Sequence, residues 1–322
     1  MEPDTLHAAS PRTIVVALGG NALQPPGQRV TIADQFRHTR QSLAAVVELA
    51  REGWRIAVVH GNGPQVGDAL ERNEQAAARV EPLPLGVLVS ATAGWIGYMI
   101  QQSLINALAE AGVSRSVVTT ITQTVVDVDR PGALEPRKPI GHELTPEGAR
   151  RYRERGVHVG QDGLGRWRRL APSPEPVDVV EAPVVQRLIE ESIIVITAGG
   201  GGSPVRRQDA WHWEGIEAVV DKDRVAAILG RRLGADTLLL LTDVAAVYRG
   251  WGTPRQAPIG SLTVAGAEGV LAEESLGVGG MGPKLEAAVM FVRGGGRRAV
   301  IAHLTDGPAA LRGETGTRIE ES

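Results

Sequence analysis

The sequence predicts an α/β protein: a three-layer αβα sandwich around a largely parallel open sheet, with a small inserted lid subdomain. Short β-branched runs alternate with amphipathic stretches of helical period, the order that winds a parallel sheet between two helical layers. Glycines, 40 of the 322 residues, cluster at the ends of the apolar runs, where loops bring backbone close to a ligand.

In chain order the expected strands are Thr13 to Leu18, Arg55 to Val59, Ser116 to Ile121, Ile193 to Thr197, Thr237 to Leu241 and Arg298 to Ile301. Each is short and rich in Val, Ile or Leu. Helices are expected at Ile32 to Arg51, Pro64 to Arg79, Leu85 to Ala111, Ala182 to Glu191, Lys222 to Leu233 and Pro283 to Gly294. Between Arg130 and Pro176 the alternation fails, and prolines, arginines and Trp167 stand where a helix and strand belong. That stretch, 130–176, is read as the insert. Residues 1–12 hold two acids and no apolar run, so they are expected to be a disordered tail ahead of a domain spanning 13–322.

Composition narrows the function. Hydrophobic residues make up 43% and charged ones 22%, which excludes fibrous repeats and wholesale disorder. Acidic residues number 37 against 34 basic ones, a formal net charge of −3, so no nucleic acid is expected as a partner. Cysteine is absent, which excludes disulfides, a thiol nucleophile and Cys-based metal sites, and fits a cytoplasmic setting. No stretch approaches the roughly 18 apolar residues of a membrane span.

Lysine occurs only at Lys138, Lys222 and Lys284, against 31 arginines. Where a compact point charge on a flexible stem must reach an oxyanion, a planar guanidinium is no substitute. These three are therefore the first candidates for chemistry.

The glycine loops share a logic. The first strand runs into Gly19, Gly20 and Asn21, the second through His60 into Gly61, Asn62, Gly63 and Pro64, and the strand ending at Thr197 into Gly199 to Gly202. A strand, a glycine turn and a helix N-terminus aim several backbone N–H groups at one point and make an anion site. For any one loop a tight turn without a ligand is the alternative. Asp221-Lys222-Asp223 opens a predicted helix, where Asp is a good cap but a lysine opposes the dipole unless an anion lies there. Thr242-Asp243 ends another strand as a lip for a nucleotide, with Tyr248 close behind. Gly277 to Lys284 is no Walker A loop, since Pro283 precedes the lysine and Leu285 follows it. Gly61 to Gly67 is only a loosened dinucleotide fingerprint. Serine-hydrolase, zincin and EF-hand signatures are absent.

Six segments then converge: V-V-A-L-G-G-N-A-L (15–23), H-G-N-G-P-Q-V-G (60–67), G-G-G-G-S-P-V (199–205), E-A-V-V-D-K-D (217–223), L-T-D-V-A-A-V-Y (241–248) and G-M-G-P-K (280–284), with G-T-R-I at 316–319 and K-P-I-G at 138–141. In this order, over nearly the whole chain, they resemble carbamate kinase of the amino-acid-kinase superfamily. The resemblance implies reversible phosphoryl transfer between ATP and carbamate, with Mg²⁺ bridging the nucleotide phosphates. It assigns catalysis to Lys222, Lys284, Asp223 and Lys138, with Asp223 holding the ammonium groups of Lys222 and Lys284, and Lys138 closing over the substrate. Carbamate falls to Gly19, Gly20, Asn21, Gly61, Asn62 and Gly63. The nucleotide falls to Gly200, Gly201, Thr242, Asp243, Tyr248, Met281 and Gly282, and no protein metal ligand is implied. It further implies a carbamate side (13–129 and 177–215), a nucleotide side (216–322) and a homodimer. The chain departs from the family pattern at two places: His142-Glu143-Leu144 follow K-P-I-G, and Gly280 replaces a serine. A superfamily kinase with another carboxylate or phosphate acceptor, and a silent nucleotide sensor, stay open as alternatives.

Overall fold

The computed structural model describes residues 12–20, 30–162, 165–209, 211–273, 276 and 280–322. Apart from Arg12, the expected tail lies outside these residues, as does Asn21.

Strand β1 (Thr13–Leu18) is buried throughout and leads to α1 (Ile32–Ser42) and α2 (Ala44–Arg51). One helix was expected from 32 to 51, but it breaks at Leu43. The Thr39 and Ser42 hydroxyls donate back to the carbonyls of Gln35 and His38, at 2.7 and 2.8 Å, which bends a helix. Next come β2 (Arg55–His60), α3 (Gly63–Ala76) with a proline in its first turn, and the long α4 (Leu85–Glu110). After β3 (Val117–Thr119) and β4 (Gln123–Asp127), the insert is built from β5 (Pro136–Leu144), α5 (Pro146–Glu154), β6 (Val159–Gln161) and β7 (Trp167–Pro172). The chain returns through β8 (Glu175–Val179), α6 (Ala182–Glu190), β9 (Ile194–Thr197), β10 (Ser203–Arg207), β11 (Trp213–Gly215) and α7 (Lys222–Arg232). It closes with β12 (Thr237–Thr242), β13 (Val247–Arg249), β14 (Ala257–Ile259), β15 (Ser261–Thr263), α8 (Val264–Glu273), α9 (Met281–Arg293), β16 (Arg298–His303), α10 (Gly307–Leu311) and β17 (Thr317–Glu320).

The main sheet has eight strands in the order β15-β17-β16-β12-β1-β2-β9-β3, and every pairing is parallel except β16 with β17. Successive side chains of a strand point to opposite faces, and the two cores follow that alternation. Val15, Ala17, Ala57, Val59, Leu238 and Leu240 face α6, α7, α8 and α9. Ile14, Val16, Leu18, Ile56, Val58, Leu239 and Leu241 face α2, α4 and α10. These are the three expected layers. A second sheet, β11-β10-β4-β8, was not anticipated from sequence. It claims β8, so the insert's own antiparallel sheet, β5-β7-β6, ends at Pro172 instead of reaching 176.

The insert docks on α3 and the start of α4. Ile140 and Ala171 join Val66, Leu85, Leu88, Val89 and Val219 in a third apolar cluster. Two motif glycines permit the approach: a Cβ on Gly67 would stand 1.9 Å from the Gly141 Cα. Polar contacts flank it, Arg169 to Glu74 at 2.7 Å and His142 to Asp68 at 3.2 Å. Among the described residues no helix is long and apolar enough to cross a membrane.

Candidate active site

The site forms where parallel strands end side by side, the usual place for a ligand in an open α/β sheet. Backbone bonds step across that edge. The Gly61 amide donates to the Leu18 carbonyl at 3.0 Å, and the Gly19 amide to that of Leu241 at 3.1 Å. A Cβ on Gly61 would meet the Gly20 amide nitrogen at 2.9 Å and the Lys222 stem at 3.1 Å, so the loops after β1 and β2 close directly on that lysine.

At the start of α7, Asp221 caps the helix through Oδ1, which accepts from the amides of Asp223 and Arg224 at 3.0 and 3.3 Å. Asp223, one residue inside, is buried and splits its carboxylate between two cations. Lys222 Nζ donates to its Oδ1 at 2.5 Å and Lys284 Nζ to its Oδ2 at 3.1 Å. Burial pushes the Asp223 carboxyl up, but the two ammonium groups outweigh it and hold it below the usual range. Burial pulls Lys222 down, reinforced by Lys284 and opposed by Asp223. Lys284 is raised: burial works against its charge, and Asp223, Asp221 and Asp243 overcome that. Lys284 sits on α9 near its N-terminus, so two helix N-termini and two ammonium groups converge on one region, an arrangement that favours a polyanion.

Lys138 arrives from the insert. It is not on Asp223; its ammonium donates to Asp221 Oδ2. Burial would raise Asp221, yet the charge and hydrogen bond of Lys138, with Lys222, hold it well below the usual carboxylate range. Beside this pair opens a cavity of about 210 Å³, lined also by Glu175, Arg224 and Pro283.

The nucleotide-side candidates divide. Thr242 and Asp243 lie at the end of β12, the Thr242 hydroxyl donating to the Asp243 carboxylate at 3.1 Å, and a Cβ on Gly19 would stand 3.9 Å from the Thr242 Cα. Met281 and Gly282 open α9, and Gly282 faces open space. Tyr248 pairs with Trp251, ring centroids 5.3 Å apart. Gly200 and Gly201 belong to the turn that follows β9. A Cβ on Gly200 would strike the Asn62 amide at 2.2 Å, and one on Gly201 the Val220 carbonyl at 2.6 Å, which places both against the β2 loop and the α7 approach. Both have positive φ, 67° and 89°. Gly20 and Gly61 do not; Gly61 is required by close approach, whereas among the described residues a Cβ on Gly20 meets Pro64 at 3.6 Å. Gly63 faces open space.

Sequence reading gave His60 only as part of a loop and Asp221 only as a helix cap, and the structure shows that cap. His60 is buried at the end of β2, its Nδ1 donating to the Gly61 carbonyl at 3.1 Å. Burial lowers its pKa to about 4, so the ring is neutral near pH 7 and braces the loop. Asn62 is also buried, its amide donating to the Thr92 hydroxyl at 2.9 Å. Among the described residues no group of three or more His, Asp or Glu side chains is arranged to hold a metal ion.

Comparisons with known proteins agree on kinship. A family model described as the amino acid kinase family matches residues 12–303. A carbamate kinase of Pyrococcus horikoshii is 41% identical over 314 residues, covering 96% of this chain and 99% of that protein. Carbamate kinase from Giardia lamblia bound to citric acid superimposes with a TM-score of 0.90 at 31% identity, over 97% of this chain and 99% of that one. The form bound to AMP-PNP gives 0.86 at 31% identity over the same shares.

Proposed function

The chain belongs to the carbamate kinase group of the amino acid kinase family, and from that premise we propose that it transfers a phosphoryl group reversibly between ATP and carbamate, giving ADP and carbamoyl phosphate. One observation carries this specific reading: a single buried carboxylate, Asp223, grips two lysines from two helix N-termini beside the Gly20 and Gly61 loops. Phosphoryl transfer asks for in-line positioning and neutralised charge more than for acid–base chemistry. Lys222 and Lys284 neutralise the phosphoryl oxygens, and Asp223 orients both. Carbamate is an anion at neutral pH and needs no base, which accords with a neutral His60. The bond between the terminal phosphorus of ATP and its bridging oxygen breaks as a carbamate oxygen bonds to that phosphorus.

Mg²⁺ fits as a companion of the nucleotide, where it would neutralise phosphate charge. The acids nearest the lysines offer it little, because Asp221 and Asp223 give their oxygens to ammonium groups and amides. On this reading residues 13–129 and 177–215 serve the carbamate side, 216–322 the nucleotide side, and the insert is a lid that brings Lys138 over the substrate. A homodimer goes with the family. Val87, Tyr98 and Ile105, large hydrophobics exposed along one side of α4, offer a face for the second copy. The cysteine-free composition is consistent with the cytoplasm.

The test is an ADP-forming assay with carbamate, with acetylglutamate and with no acceptor, run beside ATP formation from ADP and carbamoyl phosphate. Turnover with carbamate alone supports the reading. Turnover only with another acceptor, or nucleotide binding without turnover, overturns it.

A further inference from the structure

We propose that Asp221 is the positioning residue for Lys138, tying the insert to the helix that carries Lys222 and Asp223 so that the third lysine stands ready at the transfer site. This rests on the phosphotransfer reading and deepens it.

The two carboxylate oxygens of Asp221 are used differently. Oδ1 closes the first turn of α7, a task that Ser, Thr or Asn performs as well without any charge. Oδ2 accepts from Lys138, a residue 83 positions away on another subdomain, and that bond gains from a negative charge. The short segment ending at Asp221 grips the insert in two further ways. The Val219 amide donates to the Pro172 carbonyl at 3.0 Å, and the Val219 side chain packs with Ile140 and Ala171. In the β5–β7 ladder Pro136 pairs with Pro172 and Lys138 with Ala171, so one segment holds both insert strands at the same rung. Through Glu217, which accepts the Leu85 amide at 2.9 Å, the segment is also fixed to α4.

Lys138 retains 36% of its side-chain exposure and Asp221 only 14%. The ammonium thus sits at the rim of the cavity beside Pro283, the neighbour of Lys284, held by a buried partner but open to an incoming anion. Untethered, its four-carbon stem would have many rotamers to lose when substrate binds; tethered, that ordering is already made.

Wild type, Asp221→Asn, Lys138→Ala and the double variant are compared in ATP formation from ADP and carbamoyl phosphate. The three lysines are also followed by trace acetylation and mass spectrometry. Asn keeps the cap and removes the charge; Asp221→Ser, which also caps, repeats the measurement. Expected for Asp221→Asn are an unchanged KM for ADP and a kcat/KM for carbamoyl phosphate lower by about tenfold. The double variant should be no worse than Lys138→Ala alone, and Lys138 should acetylate several-fold faster while Lys284 does not. Additive losses, faster turnover, or a change in only one of kinetics and Lys138 labelling each overturn the inference. Active wild type with Asp221→Asn unchanged in both overturns it alone. Wild type that makes no ATP overturns the functional reading and the inference together.

Discussion

Replacing Asp223 by Asn tests whether the carboxylate is the keystone of the lysine pair. The substitution preserves shape and removes the counter-charge of two buried ammonium groups bonded to it at 2.5 and 3.1 Å. Two cations sharing one carboxylate sit on the order of 5–6 Å apart, and at an effective dielectric of about 20 they repel by about 3 kcal/mol. Removing one partner of a buried pair generally costs about 3–5 kcal/mol, so the two routes agree in size. Urea unfolding of Asp223→Asn without ligand should show a loss in that range, and turnover should fall at least about hundredfold. An anion should then restore what the carboxylate supplied: saturating inorganic phosphate should stabilise Asp223→Asn more than wild type. Residual activity should also fall as pH rises, because Lys222, already lowered by burial and Lys284, loses the charge that opposed the shift. A stability loss below about 1 kcal/mol, or equal stabilisation of both proteins by phosphate, would refute the keystone role.

Three further outcomes are expected. Gly61→Ala should lower kcat at least about tenfold by pressing on Lys222, whereas Gly269→Ala in α8, where the added carbon meets no described residue outside its own helix within 4 Å, should leave kinetics alone; equal effects would sink this account of the loop. Gly67→Ala must separate α3 from Gly141, so it should lower stability by about 1–3 kcal/mol and speed proteolysis within the insert, and an unchanged cleavage rate would speak against that docking. His142 is raised by its hydrogen bond to Asp68, with burial opposing, Glu71 and Asp68 adding to the rise and Arg168 reducing it. A raised histidine contributes stability that is full below the unfolded value of about 6.5 and lost as pH rises through the folded one. His142→Gln should therefore lower the urea midpoint most near pH 6 and hardly at all near pH 9, by at most about 1 kcal/mol for so exposed a pair; a difference that grows with pH would contradict the assignment.

Where burial is complete, the sequence was legible almost to the residue. β1 and β12 are apolar runs covered on both faces, so composition marks their length, and each was expected within one residue of its observed end. Several of the strands missed hold residues that argue against strands. β5 holds Pro136, Pro139 and Gly141, tolerable because it pairs with β7 alone and one edge needs no donor. β8 and β10 each carry a proline and charges, and β11 is exposed throughout. Their pairing depends on partners distant in sequence, which periodicity does not register. The break at Leu43 turned on two hydroxyls bonding back along the helix, a detail below the resolution of pattern reading.

At the site the scarcity of lysine was the legible signal, and the geometry accounts for it. Asp223 has two oxygens and serves two cations, one on each. An arginine at 222 or 284 would present a planar fork that takes both carboxylate oxygens at once, leaving none for its neighbour. The pair can share a single acid only if each member is a point charge on a flexible stem. That constraint is local and leaves its mark in composition, against a background in which arginine has taken nearly every other basic position. Lys138 obeys a second form of it. Asp221 already gives one oxygen to the helix cap, so only a single-point donor can use the other without breaking the first turn of α7. The resemblance already implied Asp223 as the partner of Lys222 and Lys284; what sequence did not disclose was that Lys138 meets Asp221. Asp221 and Asp223 are two residues apart, both explicable as helix-start residues, and only the docking of the insert sends Lys138 to one while α9 brings Lys284 to the other.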